Sequence, residues 1–149
     1  MSGKKINKEL LFVVTTAAVC CGFMVFTVMF FPAVVVSGIT IDGLNAIFGA
    51  NIEGVGKLNF NLLGLIGYLL SAVSIYFSFK SFNVKSNLYS YIAVIVSLLS
   101  ALLIILEPLT FTLVNGINSS LAFGPVLGCV LAIIVAICNG MCITIKNGK

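Results

Sequence analysis

The chain has no tryptophan, no histidine and no arginine, and only four acidic residues among 149. Each gap removes a class of function. Without histidine a Ser–His–Asp triad cannot be built, and the commonest general base is missing. Without arginine, and with its lysines scattered over terminal and connecting segments, the chain has no basic patch to bind nucleic acid. Charged residues make up 8% of the sequence, against roughly 25% in a soluble domain. Five cysteines are present, Cys20, Cys21, Cys129, Cys138 and Cys142. They form no C-x-x-C pair, and all fall inside apolar stretches, unlike the outward-facing pairs of quinone-linked disulfide enzymes. Cys138 and Cys142 stand one helical turn apart, a spacing that suits a soft metal. As small apolar residues they need none, and no metal, cofactor or catalytic residue is expected.

What remains is oil. Hydrophobic residues make up 60% of the chain and the mean hydropathy is +1.23, values that belong to a polytopic membrane protein. Four spans are predicted, at about residues 10–36, 61–79, 88–106 and 121–145, with an outer loop at 37–60, all in a single integral membrane domain covering 1–149. The first run is too long for a cleavable signal peptide, whose apolar region covers roughly 7–15 residues, and is expected to stay as a span that tilts, bends near Pro32 or emerges early. All eight basic residues are lysine. Lys4, Lys5 and Lys8 precede the first span, Lys80 and Lys85 join the second to the third, and Lys146 and Lys149 follow the fourth. Lys57 alone lies on the opposite side. The positive-inside bias therefore predicts cytoplasmic termini. The expected fold is all-α, a four-helix transmembrane bundle running up-down-up-down.

Small residues mark where the helices should touch, because lipid-embedded helices associate by close backbone approach. In the second span Gly64, Gly67, Ser71, Ser74 and Ser78 follow a 3-4-3-4 spacing along one stripe. In the third, Ser90, Ala93, Ser97 and Ser100 do the same, so "SFNVKSN" should close a tight hairpin. In the fourth, Gly124, Gly128, Ala132, Ala136 and Gly140 recur every fourth residue, and a patch at Ala17, Cys21 and Gly22 of the first span is expected to receive them. The stripes are read as the bundle's own interior, with oligomerisation as the rival reading.

The outer loop "SGITIDGLNAIFGANIEGVGKLNF" is the longest stretch that is not plainly apolar. Ile41, Leu44, Ile47 and Phe48 recur at helical spacing, Asp42 can cap the first turn and Gly49 can end it. "DGLNAIFG" is therefore predicted as a short helix held apolar side down, and "ANIEGVGK" as a flexible return with Glu53 and Lys57 in water. No ionisable residue is expected at mid-depth, where it would point to transport or catalysis. Small multidrug exporters place a carboxylate inside their first span, whereas Glu9 here sits at its edge. Glu107, directly before Pro108, is read as marking the water boundary. If a partner docks outside, Asp42, Asn45, Glu53 and Glu107 are the candidate contacts.

"GLNAIFG" in the loop, then "FNLLGLIGYLL", two further spans and a short lysine tail resemble small four-span membrane proteins of low-GC Gram-positive bacteria and Mollicutes. That group has no assigned activity, so the resemblance supplies no functional residues. The function expected is that of a non-enzymatic multi-pass protein of the cell membrane, an accessory subunit or scaffold in a membrane complex. The alternative is a small self-associating transporter or channel lined by the serine stripes. The expected partners are the lipid bilayer and either another membrane protein or a second copy, with no nucleic acid.

Overall fold

The computed structural model describes residues 7–148; Lys4, Lys5 and Lys149 lie outside the described residues. Four of its helices are long and apolar enough to cross a membrane: α1 (Lys8–Thr27, continued by a 3-10 turn to Phe30), α3 (Leu62–Asn83), α4 (Leu88–Ile105) and α6 (Phe123–Lys146). They run alternately up and down as a four-helix bundle. In the ring, α1 lies beside α3 and α6, and α4 lies beside the same two. Between these spans the chain forms β1 (Pro32–Val36), β2 (Ile39–Asp42), α2 (Gly43–Phe48), β3 (Asn51–Ile52) and β4 (Gly56–Lys57), and later α5 (Glu107–Asn115) and β5 (Ser120–Leu121). These short elements make a cap over the end of the bundle opposite Lys8 and Lys146.

The helix-facing stripes fall where their spacing predicts. Gly64, Gly67, Ser71, Ser74 and Ser78 are buried on α3, and Ser90, Ala93, Ser97 and Ser100 on α4. The two helices form the tight antiparallel hairpin expected of their short connection, and Ser100 Oγ donates across it to the Gly67 carbonyl at 2.7 Å. On α6, Gly124, Gly128, Ala132 and Ala136 are buried. Gly140 is not part of the seam, for a Cβ added there would meet nothing within 4 Å. The receiving patch on α1 also differs from expectation. Gly22 forms a notch filled by Ile75 of α3, whereas Gly128 of α6 faces Ile104 of α4 and Val28. Ala17 is exposed and Cys21 only partly buried. An isolated small-residue pattern tells which face of a helix is thin, but not which neighbour meets it.

Of the three outcomes expected for the first span, early emergence is the one found, so it ends short of residue 36. Its helix stops before Phe31, and Pro32 opens a strand rather than bending a helix. Hydropathy cannot separate these outcomes, because "PAVVV" is as apolar as a span while its β-branched residues suit a pleated strand. Ser37 and Gly38, both with positive φ (49° and 83°), form the two-residue turn between Val36 and Ile39. Two such residues in succession match the twist of an antiparallel hairpin. The sheet has the order β2-β1-β5, so β1 is central and joins the exit of the first span to the entry of the last. Its inner side packs Ala33, Val34, Val36 and Ile41 with Ala46, Leu58 and Phe111 in the core of the cap.

The short helix of the outer loop is present as α2, and Asp42 Oδ1 accepts from the Asn45 N–H at 2.9 Å, as a capping residue does. Gly49 ends it with φ of 81°, and a side chain there would also strike the Leu58 carbonyl. Ile41 and Ile47 point down, but Phe48 is 54% exposed and rests against Phe60. The return "ANIEGVGK" is not irregular. It forms the β3–β4 hairpin, with Asn51 opposite Lys57, and Glu53 and Lys57 are exposed as expected. Asp42→Ala should therefore cost about 1 kcal/mol of stability through the lost cap. Phe48→Ser should cost about 1 kcal/mol or less, since half of its ring is already outside, and Glu53→Ala should change nothing. Thermal melting in detergent checks all three, and an unchanged Asp42→Ala variant would show that α2 does not depend on its cap.

Candidate functional site

Where α4 gives way to α5, Pro108 has no N–H to return to the carbonyl four residues back, so the helix breaks. The chain restarts as α5 with Glu107, Thr110 and Phe111 on its buried side. This turn carries Glu107 off the surface and into the bundle. It is 0% exposed, which corrects its assignment to the water boundary and to an external contact surface. Oε2 accepts from the Tyr68 hydroxyl of α3 at 3.0 Å. Oε1 has no hydrogen-bond partner among the described residues. Burial raises the carboxyl's pKa from 4.5 to about 7, an effect the Tyr68 hydrogen bond partly opposes.

The surroundings are polar and tightly tied. Asn61, also 0% exposed, caps α3 through Oδ1, which accepts from the Gly64 N–H at 3.1 Å. Its Nδ2 donates to Thr110 Oγ1 at 3.0 Å, and Thr110 in turn donates to the Glu107 carbonyl. The Asn61 N–H donates to the Ile47 carbonyl at 2.7 Å. A single asparagine thus links α2, α3 and α5, and holds the floor beneath the cap.

Below this node the polar groups behave differently. Ser71 Oγ donates to the Tyr68 carbonyl, Ser74 to Ser71 and Ser78 to Ser74, each to backbone. On α4, Ser97 donates to the Ala93 carbonyl. Asn139 of α6 donates to Ser78 Oγ and to the Val135 carbonyl, both at 2.9 Å. Ser71, Ser74, Ser78, Ser97 and Ser100 therefore spend their protons on carbonyls of the helices, and do not pass them along a row of hydroxyls.

At the opposite end Lys146 reaches from α6 to the end of α3. Its Nζ donates to the carbonyl and hydroxyl of Ser81 and to the carbonyls of Val84 and Ser86. This covers carbonyls that the end of a helix leaves unpaired. Ser81 also shares a hydrogen bond with Ser90, and Asn87 donates to Asn147. The five cysteines are free.

Of the four predicted outer contacts, Asp42, Asn45 and Glu53 do lie on the cap. Asp42 and Asn45 engage each other, with Asn45 Nδ2 donating to Asp42 Oδ2 at 2.7 Å, while Glu53 projects freely from the β3–β4 turn. Glu107 belongs instead with Tyr68, Asn61 and Thr110. Those three were not singled out by sequence, although Asn61 at the start of a predicted span and Tyr68 within one were visible irregularities. Asn139, an amide in the middle of an apolar helix, was another. Comparison with family models, with curated proteins and with solved structures finds no match for this chain.

Proposed function

We propose that this multi-pass membrane protein is a non-enzymatic component of the cell membrane, an accessory subunit or scaffold that offers its cap to a partner, with both termini in the cytoplasm. The observation that supports it is the use of the interior hydroxyls. A conduit needs groups free to receive and release what passes, and here the serine stripes lie inside one bundle, bound to its own backbone except at Ser90, which pairs with Ser81. A pore between copies could use them only if the bundle opened. Orientation follows from the lysines, with Lys8, Lys80, Lys85 and Lys146 at the end away from the cap.

One observation favours the rival reading, a small self-associating transporter. A carboxyl shut beneath the cap of a membrane bundle with an unpartnered oxygen is the type of group that carries protons or ions. Two measurements separate the readings. Topology reporters fused after Lys85 should score cytoplasmic and those inserted near Asn51 and Asn115 external. Purified protein in liposomes should pass no protons under an imposed pH gradient, while a photo-cross-linker at Glu53 should give one discrete membrane-protein adduct. Proton flux abolished by Glu107→Gln would establish the transporter instead, and an external score after Lys85 would overturn the orientation.

A further inference from the structure

The end of the bundle opposite the cap carries a cleft of about 320 Å³, with Lys8, Lys85 and Lys146 on its walls and Leu11 and Phe82 among them. The three ammonium groups come from α1, from the α3–α4 connection and from α6. Lys146 is held in place by carbonyls and a hydroxyl, all uncharged, so its charge is fixed in position without being neutralised. Phe82 is shared with a second hollow of about 250 Å³, an apolar groove between α1 and α3 that is bounded by Phe12, Thr15, Val19 and Phe79. Phe12, on the groove, and Phe82, which lines both hollows, meet edge to face at 5.9 Å. Phe12 and Phe79 are exposed on the flank that faces lipid.

The sequence of chemistries along α1 is cation, then apolar groove. From Lys8 to Val19 a helix rises about 16 Å, close to half of a hydrocarbon core roughly 30 Å thick, so the groove is one leaflet deep. A headgroup phosphate in the basic cleft would place the attached acyl chain directly in this groove. Basic pockets between spans on the cytoplasmic side are where acidic headgroups bind, at a level where the leaflet itself is anionic.

We propose that this cleft and groove together bind one anionic glycerophospholipid, its phosphate between Lys8, Lys85 and Lys146 and one acyl chain between α1 and α3. The lipid would fill the gap in the ring between α1 and α3. It rests on the membrane embedding of the bundle and not on the accessory role, so either can fail alone.

The test uses the full-length protein in mixed micelles, titrated with phosphatidylglycerol or with phosphatidylcholine of the same acyl chains, and followed by melting temperature and native mass spectrometry. Phosphatidylglycerol should raise the melting temperature saturably and give a one-lipid adduct, whereas phosphatidylcholine should not. The double variant Lys8→Gln with Lys85→Gln should weaken binding roughly thirtyfold, and Val19→Trp, which fills the groove, should weaken it as well. Lys57→Gln at the far end should leave it unchanged, and Lys146, which also caps α3, is left intact. Equal response to the two lipids would overturn the site. So would an equal response to inorganic phosphate, full retention of binding in the double variant, or the same loss from Lys57→Gln.

Discussion

Between pH 5 and pH 8 the protein should lose roughly 2–3 kcal/mol of stability, and Glu107→Gln should abolish the loss. The carboxyl is 0% exposed with one oxygen unpartnered, and its pKa is raised from 4.5 to about 7 by burial. A carboxyl whose folded pKa lies above its unfolded value supports folding fully at low pH. As pH climbs past 4.5 the unfolded chain releases its proton first, and stability drains until the folded form also ionises near pH 7. A shift of this size corresponds to about 3 kcal/mol in all, most of it within that window. The chain has no histidine, so no other side-chain type ordinarily titrates there. Glutamine keeps an oxygen for the Tyr68 hydroxyl but carries no charge at any pH. Chemical or thermal unfolding in detergent at several pH values reads the difference. A wild-type curve as flat as that of Glu107→Gln would mean that Glu107 is solvated in the folded protein, contrary to its position here.

The second large effect is expected at the seam of the bundle. Ser74→Leu should cost about 3 kcal/mol, because it pushes a branched side chain into a site 1% exposed where backbones approach closely. Val73→Leu, one residue earlier and turned toward lipid, should stay within about 0.5 kcal/mol. Ile75 is an unsuitable control although it too lies off the stripe, since it fills the notch at Gly22. Melting curves for the two variants decide the matter, and equal losses would show that the serine stripe is not the packing surface.

The four spans, their alternation and the inward faces of α3 and α4 were legible because hydropathy and helical spacing are properties of a segment alone. The capping of α2 by Asp42 was legible for the same reason, its signal being complete within a few residues. The limits of the reading lie where two distant segments meet. "VVVSGITI" carries both strand composition and a turn pair, yet beside a long apolar run its valines read as more helix. Glu107 stands next to a proline at a span's end, which suggests water. Its burial depends on α5 turning back over the bundle and on Tyr68 waiting six residues into α3. Neither is visible in the local pattern. Gly22 likewise announced a close approach without naming Ile75 as what approaches.

The pairing of β1 with β5 sets a timetable for the chain's birth. Val35 and Ser120 lie 85 residues apart, and at a synthesis rate of roughly 5–20 residues per second the first strand waits on the order of ten seconds for its neighbour. Through that interval β2 covers one side of β1, while the other side offers open N–H and carbonyl groups. An open edge pairs with whatever strand arrives first. When several copies are inserted close together, the arriving strand can be another chain's β5, which would lock two bundles through exchanged last spans. Correct pairing of β1 with its own β5 is then a matter of spacing between nascent chains as well as of the final packing.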